Sequence, residues 1–144
     1  MNSYFPDVNV WLAVTAGNHQ HHVSALLWLD SIKDGNVGFC RITQLSFLRL
    51  LTHPAIMKDQ VLSPSLAWRL FDQTLEDDRI VFFEEPEATQ LLQEFRVLTS
   101  APRFSHAQWP DAYLTAFARV AGLTLVTFDR GLKALAGHGV QLLS

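Results

Sequence analysis

Apolar positions in this chain recur in two rhythms, short continuous runs and helical spacings, and the two take turns along its length. A short run, Ser3–Pro6, stops at Asp7, and Val8, Val10, Trp11, Leu12 and Val14 then follow the spacing of a short helix closed by Gly17-Asn18. From His21 the positions Val23, Leu26, Leu27, Leu29 and Ile32 predict a second helix ending at Lys33-Asp34-Gly35. Residues 37–42 read as a strand. Thr43 is placed to cap a helix carrying Leu45, Phe47, Leu48, Leu50 and Leu51, which stops before His53-Pro54. Ser63-Pro64 opens the next helix, with Leu66, Trp68, Leu70, Phe71 and Leu75 on it. Residues 80–83 form a short strand candidate, Pro86 opens a helix that runs to Leu98, and residues 99–108 are polar enough for a loop. Trp109-Pro110-Asp111 introduces a helix ending at Gly122. Residues 123–128 are continuous and apolar, as a parallel strand covered on both faces should be. Asp129-Arg130-Gly131 turns into a last helix, and residues 140–143 suit an edge strand. Strands alternating with helices predict an α/β fold with a mainly parallel central sheet and more helix than strand.

Composition narrows this picture. With 144 residues and 49% hydrophobic side chains the chain supports one packed core, so residues 1–144 are expected to form one domain. A net charge of -3 gives no overall basic surface, and nucleic-acid binding would have to come from a local patch. Cys40 is the only cysteine, which excludes an internal disulfide, fits a reducing compartment and suits a small buried residue. No apolar stretch reaches the roughly 18 residues that span a bilayer, and Met1-Asn2-Ser3-Tyr4 lacks a basic start followed by an apolar run. A soluble, cytoplasmic protein with no membrane partner is expected.

Candidate chemistry lies in three aspartates. Asp7 and Asp129 directly follow expected parallel strands, and Asp111 stands at the start of the helix that feeds the second of them. Each has a purely structural explanation: Asp7 and Asp129 can cap or shape the turns into their helices, and Asp111 can complement the positive end of its own. Their coincidence suggests more. In open parallel sheets the crevice beyond the carboxyl ends of the strands is the usual ligand site, and right-handed crossovers bring those ends to one edge. Three carboxylates there repel one another unless a cation intervenes, and an oxygen-only ligand set favours Mg²⁺ or Mn²⁺ over zinc. Two such ions about 3.5–4 Å apart can grip a phosphodiester, activate a water and stabilise the leaving oxygen, which points to a nuclease. Asn9 stands within reach of a carboxylate or a bound water, although turn chemistry explains an asparagine there equally well.

Four segments in order, residues 7–12 (DVNVWL), 43–54 (TQLSFLRLLTHP), 111–114 (DAYL) and 125–131 (LVTFDRG), resemble the PIN-domain ribonucleases, in particular the VapC-type toxins of toxin–antitoxin modules. The resemblance extends from Asp7 to about Leu135. It implies a three-layer α/β/α sandwich and an Mg²⁺-dependent endoribonuclease, with Asp7, Asp111 and Asp129 at three acidic metal positions and Thr127 as a hydroxyl residue ahead of the last. It further implies an RNA substrate, a VapB-like antitoxin and a homodimer. The chain departs from the pattern where many members carry a glutamate in the helix after the second strand. Here the candidate positions hold Gln44 and Ser46, and no acid occurs between Val37 and Lys58. Gln44 is then a weak ligand or water-orienting group through its carbonyl, and weaker metal affinity is expected. Arg49 on the same helix either steadies a carboxylate or phosphate or belongs to a surface ion pair.

Other residues carry weaker signals. His19, His21 and His22 lack the partners a zinc site needs and fall near a helix start, beside the expected active-site rim. His53 and His106 stand alone. Trp11, Trp68 and Phe71 occupy apolar helical positions that suit a core or a dimer surface, and the arginines are scattered. Two rival functions stay open: a catalytically weakened PIN domain that acts mainly through protein binding, and a Rossmann-like phosphatase with Asp7 as nucleophile. Against the phosphatase, Asn9 stands where the second acid is needed, and no glycine-rich phosphate loop is present.

Overall fold

The computed structural model describes residues 2–144. β1 (Ser3–Pro6) leads into α1 (Val8–Thr15) and α2 (His22–Ser31), and β2 (Asn36–Phe39) into α3 (Arg41–Leu51), a single turn α4 (Pro54–Met57) and α5 (Pro64–Thr74). β3 (Ile80–Phe82) precedes α6 (Ala88–Thr99) and α7 (Trp109–Ala121), and β4 (Thr124–Thr127), α8 (Arg130–Ala136) and β5 (Val140–Leu142) complete the chain. The five strands form one sheet in the order β3-β2-β1-β4-β5, and every pairing is parallel. The sheet is thus wholly parallel, beyond the mainly parallel arrangement expected.

Helices cover both faces, which explains why the strands are apolar on both sides. On one face α1, α2, α3 and α5 bury Trp11, Trp28, Phe47 and Phe71 against Val37, Phe39 and Val126 of the sheet. The rings of Trp11 and Phe39 stack at 3.9 Å. On the other face α6, α7 and α8 bring Leu91, Phe117 and Leu132 against Phe5 and Leu125. Successive strand residues therefore alternate between two cores: Leu125 points to one and Val126 to the other. Burying a side chain of this size contributes about 1.5–3 kcal/mol. Phe71 and Trp11 are core residues as expected, Cys40 is a buried free thiol, and Trp68 remains about half exposed.

Four features depart from the sequence reading. β2 ends at Phe39, because Cys40 rather than Thr43 is the N-cap of α3. Thr43 is the third helical residue, and its hydroxyl accepts the Cys40 N–H at 2.9 Å, closing the reciprocal half of a capping box. His53-Pro54 does end α3, but it also begins α4: His53 Nδ1 accepts from Ala55 N–H, and Pro54 takes the first helical position, where a missing N–H costs nothing. Glu87, not Pro86, caps α6, and residues 106–108 form a short 3₁₀ turn inside the expected loop. Arg79 closes the C-terminal end of α2 by donating to Leu29 O and Ile32 O at 2.7 and 3.0 Å while paired to Asp77.

Candidate metal centre

The strand order reverses between β1 and β4, and the crevice at such a reversal is where α/β sheets place ligands. Asp7 leaves the end of β1, and its backbone N–H donates to Val126 O of β4 at 2.9 Å. Its side chain caps α1: Oδ1 accepts from the N–H groups of Asn9 and Val10 at 3.0 and 3.2 Å. The other oxygen accepts from the hydroxyl of Thr127, the last residue of β4. That hydroxyl in turn accepts the Asp129 N–H at 2.9 Å. Thr127 thus ties two strand-end aspartates together through one oxygen. Asp129 caps α8, accepting from Gly131 and Leu132 N–H at 2.7 and 3.4 Å. Both structural roles considered for these residues are therefore real, and they hold the two carboxylates at the sheet edge.

Asp111 comes from the first turn of α7 and is half-buried. All three aspartates line one cavity of about 100 Å³, together with Asn9, Thr43, Ser46 and the apolar Val8, Ile42, Pro110 and Leu114. Burial pushes the Asp7 carboxyl from its ordinary 3.8 up to about 6, against the Thr127 hydroxyl and the Val10 N–H, and the Asp111 charge pushes it further. Asp111 is also raised, first by burial and then by the charge of Asp129. The carboxylates are thus short of a counter-charge. Among the described residues no three His, Cys, Asp or Glu side chains are gathered tightly enough to grip one ion as they stand. Asp7 and Asp129 are held by their caps, whereas among the described residues no hydrogen bond reaches the Asp111 carboxylate, so convergence falls to Asp111. With a water taking about 30 Å³, the cavity has room for one ion and a few waters, and its oxygen-only donors suit a hard cation.

The second-motif residues divide in a way the sequence reading did not anticipate. Gln44 is buried and accepts from the Arg41 guanidinium, and it is not among the residues lining the aspartate cavity. Ser46 lines it instead. With α3 starting at Arg41, residues 43 and 46 share one face and residue 44 lies on another. Arg49 is exposed near the far end of α3, in a cleft with Leu45, Leu48 and Trp68, away from the aspartates. It takes part in neither ion pair of the described residues, so it steadies no carboxylate through such a pair and the surface ion-pair role lacks support.

The histidines are engaged elsewhere than in a zinc site. His19 Nδ1 accepts the His21 N–H at 3.0 Å, the His22 ring bonds Ala13 O at 2.7 Å, and His21 stacks on Phe128 at 4.3 Å. Of the three, His19 lines a cleft that shares Asn9 with the aspartate cavity, while His21 and His22 line neither. The apolar spacing used to read the helices says nothing about this cleft, because Asn18, His19 and Gln20 sit in the turn between α1 and α2.

A family model for the PIN domain matches residues 4–138. Ribonuclease VapC41 of Mycobacterium tuberculosis is 38% identical over 144 residues, covering 96% of this chain and 97% of that protein. Among solved structures, VapBC2 from Rickettsia felis, bound to a DNA fragment from their promoter, superposes with a TM-score of 0.73 at 14% identity, covering 99% of each chain. Mycobacterium tuberculosis VapC20, described as a sarcin-ricin loop cleaving toxin, superposes at 0.66 with 16% identity over 91% of this chain and 93% of that one. At these identities the structures speak for the fold, while the family model and the 38% relative speak for descent. The chain belongs to the PIN-domain family and is a homologue of the VapC ribonucleases.

Proposed function

We propose that this protein is a divalent-metal-dependent endoribonuclease that acts as the toxin of a toxin–antitoxin pair in the cytoplasm. The observation that carries this reading is the meeting of Asp7, Asp111 and Asp129 in one cavity at the β1–β4 reversal, in a chain homologous to VapC ribonucleases. Asp7, Asp111 and Asp129 would hold Mg²⁺ or Mn²⁺, which when bound supplies an activated water and charge stabilisation at the scissile phosphodiester. Thr127 keeps the Asp7 carboxylate oriented and favours its ionised form. The N–H groups of Asn9 and Val10 do the same from the start of α1. Asn9, at the cavity wall, positions a substrate oxygen or water, and the apolar Ile42, Pro110 and Leu114 limit the entry of bulk water.

Partners follow from the same reading. A VapB-like antitoxin would restrain the nuclease, and a second copy would complete a homodimer. Exposed Leu45, Leu66 and Trp68 on α3 and α5 supply apolar surface for such contacts. A binding protein with weakened catalysis is the second reading, favoured by Ser46 at the cavity wall where an acid would add a ligand. Mapping the fragments that wild type and Asp7→Ala produce from single-stranded RNA, in Mg²⁺ and in excess chelator, decides between them. Cleavage by wild type in Mg²⁺ only, abolished in the variant, is the expected result. Absence of cleavage by wild type in any divalent ion refutes the nuclease.

A further inference from the structure

Next to the aspartates lies a second, larger cleft of about 550 Å³, within the range of small-ligand sites of ~300–1,000 Å³. Its polar wall carries Asn9, Asn18, His19, Gln20 and Lys58, over an apolar floor that includes Leu12 and Met57. Asn9 lines both this cleft and the aspartate cavity, so the two are neighbours. We propose that this cleft is a nucleotide subsite, holding one unpaired base and the adjoining phosphate of the RNA strand that enters the aspartate cavity, and that it sets which positions are cut. The inference rests on the ribonuclease reading above.

Its chemistry is complementary to a single-stranded nucleotide. Side-chain amides at Asn18 and Gln20 offer donors and acceptors together, the combination that reads base edges, and an apolar floor supports a base face. His19 Nδ1 accepts the His21 N–H, which leaves the proton on Nε2 as a donor. Burial and the neighbouring His21 and His22 hold His19 below its ordinary value, so the ring is a neutral donor at pH 7. Lys58 is exposed, lies outside the ion pairs of the described residues, and supplies a cation in a chain of net negative charge. It also sits at φ 52°, the one non-glycine residue with positive φ among those described, where α4 passes into the following 3₁₀ turn. Residues kept in such sparsely populated conformations cluster at functional sites.

The test compares wild type with Lys58→Gln, Gln20→Ala and Asn18→Ala, all at exposed positions whose melting temperatures should stay close to wild type. Affinity for a labelled single-stranded RNA pool is measured by fluorescence anisotropy in excess chelator, and cleavage positions are mapped in Mg²⁺. Lys58→Gln should weaken binding about tenfold and reduce the slope of log affinity against log salt by about 0.7, as expected for one lost phosphate contact. Gln20→Ala and Asn18→Ala should redistribute the cleavage positions. Wild-type affinity and an unaltered cleavage map in all three variants overturn the subsite and leave the ribonuclease standing. A wild type that neither binds nor cuts RNA overturns both.

Discussion

Replacing Asp7 with asparagine should make the metal-free protein more stable while removing its proposed activity. The carboxyl has an ordinary value of 3.8 and is pushed to about 6 in the fold, chiefly by burial. A folded-state value above the unfolded one means that the native state holds its proton more tightly, so stability falls as pH rises from about 4 through about 6 and levels off above. At 1.36 kcal/mol per pH unit, the deficit at pH 7.5 is about 3 kcal/mol. Asparagine cannot ionise, and its side-chain oxygen still accepts from Asn9 and Val10 N–H as the cap of α1. Its amide must repack against the Thr127 hydroxyl, at a cost of about 1 kcal/mol. The net gain of about 1–3 kcal/mol raises the melting temperature by roughly 3–10 °C for a domain of this size. Thermal denaturation in chelator between pH 3.5 and 8 reads this directly. The difference should be small or reversed near pH 3.5, where the Asp7 carboxyl is mostly protonated in folded and unfolded chains alike, and largest above pH 7. Adding Mg²⁺ should stabilise wild type and leave the variant unmoved, since a ligand stabilises only the state that binds it. A variant less stable than wild type at pH 7.5 in chelator would refute the reasoning.

Further outcomes test other parts of the site and fold. Thr127→Val removes the hydroxyl that lowers Asp7, so the acid limb of the pH–cleavage profile should move to higher pH, with a stability loss of about 1–3 kcal/mol from the unpaired Asp129 N–H; an unmoved limb contradicts the link. Ser46→Glu adds a carboxylate to the cavity wall and should lower the Mg²⁺ concentration for half-maximal stabilisation about tenfold, whereas Gln44→Glu, away from the cavity, should not. Gly38→Ala would put a methyl 2.2 Å from the Phe83 ring and should destabilise by about 1–3 kcal/mol in chemical denaturation, with Phe83→Leu in the same chain recovering part of the loss. Additive losses in the double variant would show that the ring is not the cause.

Most elements were legible because their apolar periods differ and their ends carry caps that act locally. Ser63-Pro64 and Gly122 mark helix ends by chemistry that needs no tertiary partner, and each boundary lies where that chemistry puts it. Residue phase within α3 was not legible. Cys40 is a weak cap by composition, so the sequence favours Thr43 as the cap, and a start three residues earlier decides whether Gln44 or Ser46 meets the aspartates. Likewise Pro54 reads as a stop, because the signal for a following turn comes from His53, whose ring seldom caps. The aspartates themselves were visible as strand ends. Their helix-capping roles were visible as well, whereas the Thr127 hydroxyl that links Asp7 to Asp129 depends on a pairing of distant strands that sequence spacing does not reveal.

The β1–β4 seam joins residues about 120 apart, with Tyr4 beside Thr124 and Pro6 beside Val126. Contacts so distant along the chain close late and slowly in folding. One site carboxylate hangs from the first strand and two from the last third of the chain, so an N-terminal piece carries only one of the three site aspartates however well its own half has packed. The chemistry proposed here is therefore withheld from every form that stops short of Asp129 and needs the pairing at the centre of the sheet. For a cell that makes such a protein, synthesis itself is a safety interval: the chain must reach Asp129 before there is anything to restrain.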